Sequence, residues 1–113
     1  MVKEEIQRLE LLQGTLEMMV LRTLLFGPSN GYQIAKTIEK MSDQVLQVDH
    51  GSLYPALHRL EKKGWLGSKW ETSETNRKAK FYRLTLAGRK QLVLEQSKWA
   101  RLTGAIGRVM RPA

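Results

Sequence analysis

The stretch GSLYPALHRLEKKGW, residues 51–65, decides the reading of this chain. Leu53, Ala56, Leu57 and Leu60 share one side of a helical wheel, whereas Gly51, Pro55, His58, Arg59 and Lys62 lie opposite, flanked by Ser52 and Tyr54. One face is built for burial; the other is small near its start and basic farther on. Asp49 or Ser52 is placed to cap such a helix, and Gly64 ends it. Pro55 is awkward, because a proline beyond the first turn deletes a backbone hydrogen bond and crowds the preceding turn. Either the regular helix starts later than Asp49, or its first turn is loosened.

Upstream, Asn30 with Gln33 three residues later is a capping-box-like start for a helix that runs to about Met41. Its apolar stripe is Ile34, Ile38 and Met41 with Ala35 beside it, and Lys36, Glu39 and Lys40 fall on the solvated side. Gly27, Pro28 and Ser29 separate it from an earlier helix in which Leu12, Leu16, Met19, Val20, Thr23 and Leu24 recur at helical spacing. Met18, Leu21 and Leu25 fill much of the other side. A helix apolar nearly all round needs cover on both faces, a first reason to expect a second protomer.

Downstream, two runs rich in aromatic and apolar residues, 65–70 and 80–85, flank the polar stretch 71–79 and predict a β-hairpin with a long basic tip. Thr85 is placed to cap a last helix. Within it Leu92, Trp99, Leu102, Ile106 and Val109 step by seven, three, four and three, the spacing of a helix seam, with Glu95 interrupting one position and Gly104 and Gly107 weakening the end.

Composition sets the bounds. The 113 residues suffice for one modest core, and 42% hydrophobic with 27% charged residues is an ordinary globular balance. Zero cysteines exclude disulfides and thiolate metal sites. Nothing at the start reads as a signal sequence, and the apolar stretches fall far short of the roughly 20 residues a membrane span needs, so the expectation is a cytoplasmic protein with no membrane partner. The net charge of +8 is unevenly spread: residues 1–45 hold five bases against six acids, the remainder fourteen bases against five acids. Positive charge gathered in one part of a small domain is the footprint of a polyanion binder.

The order helix, helix, helix, hairpin, long helix places the third helix as the reader of a winged helix-turn-helix. Ser52 and Tyr54 offer donors to phosphate or base acceptors, and Arg59 or His58 reaches guanine acceptors. His58 also suits a phosphate contact, and Tyr54 also suits packing against the hairpin. Lys62 and Lys63 suit phosphate or simply the helix dipole. Asn76, Arg77, Lys78 and Lys80, with Arg83 in the following strand, form a basic cluster on a protruding turn that would grip phosphate. Catalysis finds little support: His50 and His58 are the only histidines, and no metal, triad, P-loop or dinucleotide spacing is present. No enzyme activity, metal or cofactor is expected. The stretch GAIG, residues 104–107, matches a nucleic-acid-clamping GxxG loop superficially but lies on the seam helix without the flanking strands.

The stretch GSLYPALHRLEKKGW, preceded by NGYQIAKTIE at residues 30–39, resembles the PadR family of bacterial transcriptional regulators. LLQGTLEMMVLRTL at residues 11–24 is similar to the family's first helix, and KFYRLTLAGRKQL at residues 80–92 to its second wing strand and the start of its terminal helix. The motifs are specific in combination: Gly-Tyr at the start of helix two, Leu-Tyr-Pro-Ala-Leu in helix three, and Leu-Thr-x-x-Gly after the wing. The short C-terminal region resembles the branch with a single dimerisation helix. The resemblance implies a repressor that dimerises through its first and last helices and sets two third helices and wings on a roughly palindromic operator. Carried over by position, Tyr32, Ser52, Tyr54, Pro55, Arg77 and Lys78 become DNA contacts. Some members bind flat aromatic effectors against a tryptophan between terminal helices, and Trp99 sits at a similar place.

The reading is therefore an α+β, mostly α, winged helix-turn-helix with a two-stranded wing and a long C-terminal dimerisation helix, residues 1–85 forming the DNA-binding part and 86–113 the helix. Its partner would be double-stranded DNA, contacted through Tyr32, Gly51, Ser52, Tyr54, Pro55, His58, Arg59 and Lys62 of the helices and Asn76, Arg77, Lys78 and Lys80 of the wing. The homodimer would close through Leu16, Met19, Leu92, Trp99, Leu102, Ile106 and Val109, with Trp99 also the candidate contact to a small aromatic effector. Two alternatives stay open: an effector-binding dimer in which DNA contact is secondary, and a winged-helix module for protein–protein assembly.

Overall fold

Helix α1 (Gln13–Thr23) is the first element of the computed structural model, which describes residues 13–72 and 74–112. Leu12 of the first apolar stripe, Ser73 of the hairpin connection and the terminal Ala113 lie outside the described residues. Leu16, Val20 and Leu21 of α1 are buried, and the one buried polar side chain among them, Thr23, donates its hydroxyl to the Val20 carbonyl at 2.9 Å. A short 3-10 turn (Leu24–Phe26) carries Leu24 into the same core, and Gly27, at φ 128, turns the chain out of it.

A two-residue strand, β1 (Ser29–Asn30), leads straight into α2 (Gly31–Met41). The Asn30 side chain accepts from the Gln33 N–H at 2.9 Å while Gln33 Oε1 accepts from the Asn30 N–H at 3.4 Å, so the capping box is complete. Ile34, Ala35 and Ile38 are buried, but Met41, expected to continue their stripe, is exposed where α2 runs past the core. Helix α3 (His50–Lys62) follows after a connection in which Val48 is buried and its N–H donates to the Glu39 carboxylate at 3.0 Å.

Both helices stop by the same device. The Gln44 and Asp43 N–H groups donate to the Glu39 and Lys40 carbonyls, and the Trp65 and Gly64 N–H groups donate to the Leu60 and Glu61 carbonyls. The motif needs a left-handed residue just past each helix: Gly64 supplies it at φ 81 and Asp43 at φ 59. At the other end of α3, Asp49 takes the N-cap position without a side-chain capping bond; its carboxylate instead accepts the Ser52 hydroxyl at 3.2 Å. Pro55 lies inside a helix that begins at His50, so a later start is not how it is accommodated.

Strands β2 (Leu66–Thr72) and β3 (Lys78–Leu84) pair antiparallel, Leu66 facing Leu84 and Thr72 facing Lys78, two residues farther toward the tip than the sequence pattern implied. β1 pairs with the opposite edge of β3, Ser29 facing Tyr82, so the sheet has three strands in the order β1-β3-β2. Thr85 then caps α4 (Leu86–Met110), accepting from the Gly88 N–H at 3.0 Å and donating to the Gly64 carbonyl at 2.7 Å. A Cβ at Gly88 would run into the Trp65 carbonyl oxygen, so the helix sits against the turn between α3 and β2 at a distance only glycine permits.

The first half of α4 packs on α1, where Leu92 joins the core. Leu16 and Leu92, expected on the dimer seam, are each 2% exposed and belong to the subunit's own interior, where the start of the α4 seam, at Leu92, coincides with the face that α4 buries against α1. Met19 packs partly against the same core. From Gln96 to Pro112 every residue is exposed, so the far half of this helix, about 37 Å long in all, projects from the body.

Candidate nucleic-acid interface

Helix α3 has two faces of opposite fate. Leu53, Ala56, Leu57 and Leu60 are fully buried, whereas Gly51, Ser52, Tyr54, Pro55, His58 and Lys62 are exposed. Burying one leucine fully is worth about 1.5–3 kcal/mol, so three of them fix the rotation of the helix and leave the small and basic face bare. The Tyr54 ring lies over the first residue of α2, where a Cβ on Gly31 would come within 2.7 Å of Tyr54 Cε1, and it meets His50 edge-on at 5.9 Å. Tyr32, next in line on α2, is exposed with the Lys36 ammonium 5.4 Å above its ring.

Arg59 departs from expectation. Its Nε donates to Glu17 Oε2 of α1 at 2.7 Å, with the two side chains 34% and 14% exposed. The wheel put Arg59 on the outer face, but it lies at that face's border, and a long side chain there reaches a half-buried carboxylate on α1. In the subunit Arg59 is a strut between α1 and α3, its guanidinium committed to Glu17 and not presented with the bare face.

Lys80 is likewise engaged. Its ammonium bonds Glu61 Oε1 at 3.1 Å, and the Ser68 hydroxyl donates to the other oxygen of the same carboxylate. Glu61 thereby ties the end of α3 to both wing strands. The Ser68 bond and, after it, the Lys80 cation hold the Glu61 carboxyl below the usual carboxylate range against the opposing effect of burial. The same bond raises Lys80 above the ordinary lysine value. Burial pushes the Tyr82 phenol up. Lys80 is thus a part of the wing's hinge and not of its tip. At the tip Asn76 adopts a left-handed conformation, φ 62, and Asn76, Arg77 and Lys78 are all exposed.

The structure brings Tyr32, Tyr54 and Lys80 together with Asn30, Gly31 and Trp70 around a groove of about 370 Å³ between the helices and the wing. Trp70, an exposed indole, was not singled out from the sequence; its signal was a large aromatic at the polar end of a strand. A second groove, about 260 Å³, lies between α1 and α4 and is lined by Met18, Glu95, Lys98, Trp99 and Leu102 among others. Trp99, Leu102, Ile106 and Val109 are exposed on the subunit. Among the described residues no cluster of His, Cys, Asp or Glu suits a metal ion, and no helix is long and apolar enough to cross a membrane.

The profile of the transcriptional regulator PadR-like family matches residues 20–93, from the middle of α1 to the start of α4. The chain belongs to the PadR-like family. Its fold is similar to that of a transcriptional regulator from Clostridium thermocellum, with a TM-score of 0.80 and 29% identity over 88% of this chain and 96% of the other. A PadR family transcriptional regulator from Eggerthella lenta is similar at a TM-score of 0.74 and 31% identity, covering 89% of this chain and 86% of that one. A 37.1 kDa protein in a Streptomyces fradiae transposon is 40% identical over 80% of this chain, which spans only 24% of it.

In this PadR-like regulator the three motifs have packing reasons. Gly31-Tyr32 leaves room for the Tyr54 ring, Leu53 to Leu57 buries two leucines and an alanine around that tyrosine, and Leu84 to Gly88 combines a cap with a close approach.

Proposed function

We propose that this transcriptional regulator is a repressor that binds a palindromic duplex operator as a homodimer, α3 entering the major groove and the wing holding adjacent phosphates. The observation that carries the reading is the bare face of α3: Gly51, Ser52, Tyr54, Pro55, His58 and Lys62 stand in solvent while the other face is fully buried. Small residues at the entry of that face admit a base edge, Tyr54 and His58 present donors there, and the Ser52 hydroxyl, which donates to Asp49, presents an acceptor oxygen. Tyr32, Asn76, Arg77 and Lys78 would meet phosphate. Dimerisation is supported by α4, whose face continues outward from buried Leu92 through Trp99 and Leu102, which α1 covers only in part, to Ile106 and Val109, all four exposed on the subunit.

The test is to select bound fragments from genomic DNA and titrate the recovered duplex by fluorescence anisotropy over a salt series. Affinity should fall steeply as salt rises, with a slope set by the phosphates neutralised. Arg77→Ala with Lys78→Ala should weaken binding to every sequence alike and flatten that slope. Ile106→Glu should yield monomers in sedimentation and abolish tight binding. Absence of tight duplex binding at low salt would overturn the reading.

A second reading has its own observation, the groove between α1 and α4 with Trp99 on its wall. A planar aromatic effector stacked there would quench Trp99 fluorescence; a broad panel of planar compounds without response would leave Trp99 to packing alone.

A further inference from the structure

We propose that Trp70 is a contact to the DNA backbone: the concave slot between the wing and helices α2 and α3 takes one sugar–phosphate strand, with a deoxyribose lying on the indole. The proposal rests on the DNA-binding reading above and assigns the slot its occupant. Cross-strand pairs that alternate in register share a face, so Ser68, Trp70 and Thr72 of β2 stand beside Tyr82, Lys80 and Lys78 of β3. The inner end of this face is fastened to the protein, since Tyr82 is buried and Ser68 and Lys80 both bond Glu61 of α3. The face is therefore turned toward α3, and Trp70, the next residue outward, looks into the slot.

Trp70 is 66% exposed, although it lines a groove with Tyr32, Tyr54, Asn30 and Gly31 on the far wall. With Tyr32 and Tyr54 it makes three exposed aromatic rings lining one concave surface, a contiguous patch of the kind that marks a binding surface. The charges around it select the occupant's chemistry. Lys78 stands on the same face of the hairpin, and Lys36 over Tyr32, which lines the groove. Glu61, at the inner end, is already paired with the Lys80 ammonium and accepts the Ser68 hydroxyl. Cations beside an aromatic wall suit a chain that alternates anions with apolar ring faces, as the DNA backbone alternates phosphate and sugar. The contact differs in kind from those of the wing tip: a sugar on an indole releases no counterions, so it adds affinity without adding to the salt slope. Because every nucleotide carries the same sugar, it adds affinity without sequence preference.

Anisotropy titrations of the full chain on the selected operator duplex and on a scrambled duplex, each across a salt series, read both signatures. Trp70→Ala should bind both duplexes about tenfold more weakly at every salt concentration, with the slope and the operator-to-scrambled ratio unchanged. Trp70→Phe should fall between it and the parent. Lys78→Ala, in contrast, should lower the slope. Thermal melting of both Trp70 variants should match the parent, because the side chain is exposed, and Trp70→Phe carries the test if Trp70→Ala melts early. Parent-like affinity of both Trp70 variants, beside a weakened Lys78→Ala, would overturn the slot assignment while leaving the DNA-binding reading intact. A changed slope or a relaxed operator preference in the Trp70 variants would overturn the sugar contact specifically. Failure of the parent to bind either duplex would sink both.

Discussion

Removing the Arg59 guanidinium should destabilise the fold and leave base preference untouched. The pair with Glu17 joins α3 to α1 at 2.7 Å, and the Glu17 side chain is only 14% exposed. A fully exposed ion pair contributes about 0.2–1 kcal/mol, whereas stripping the partner from a covered acceptor costs about 1–3 kcal/mol. Arg59, about one-third exposed, places Arg59→Ala between these, at about 1–2 kcal/mol, which in a domain of this size lowers Tm by about 5–10 °C. Glu17→Ala should cost a similar amount, and the double variant less than the sum, giving a coupling of about 1 kcal/mol. Melting by circular dichroism at fixed protein concentration measures all three, and competition between the operator and single-base variants of it measures preference. If Arg59→Ala melts with the parent, shows no coupling to Glu17 and relaxes the choice of base at one operator position, the strut is an arrangement of the free protein only. Arg59 would then be a reader after all.

Gly88→Ala should be the most damaging small substitution, costing more than about 3 kcal/mol or preventing folding, because the new methyl meets the Trp65 carbonyl and a backbone atom cannot swing away; a yield and melting profile equal to the parent's would refute it. Leu92→Ala should destabilise the subunit by about 2–5 kcal/mol, read as earlier melting, whereas Ile106→Ala should weaken self-association with little effect on subunit melting; sedimentation and melting together separate the two. Glu61 has a folded-state pKa below its ordinary value, so its bonds to Ser68 and Lys80 stabilise fully above the usual carboxylate range and are lost as pH falls through the depressed value. Glu61→Gln should accordingly flatten the acid limb of the stability profile below about pH 4.5, and an unchanged limb would remove the clamp as its cause.

Much of the architecture was legible because it rests on local rules. The Asn30–Gln33 box, the Thr85 cap, the stop at Gly64 and the leucine face of α3 each involve residues within a few positions of one another, where sequence spacing is spatial proximity. β1 escaped notice since two residues cannot display an alternating pattern, and its pairing with Tyr82 and Phe81 is a contact across some fifty positions. Asp43 as a left-handed helix terminus was hidden for a different reason: non-glycine residues adopt that conformation seldom enough that their identity does not announce it.

What the chain of residues determined by itself was which surfaces would be apolar, which basic, and where each helix begins and ends. Those follow from periodicity and from backbone groups that must find partners nearby. Only the packed subunit decided how the long side chains at the borders of those faces are employed. Arg59 turned inward to Glu17, Lys80 to Glu61, Leu16 and Leu92 into the core, and Trp70 was left in the open. A wheel assigns a Cα to a face, but a side chain several bonds long is committed by whichever partner lies within its reach, and that partner sits on another element.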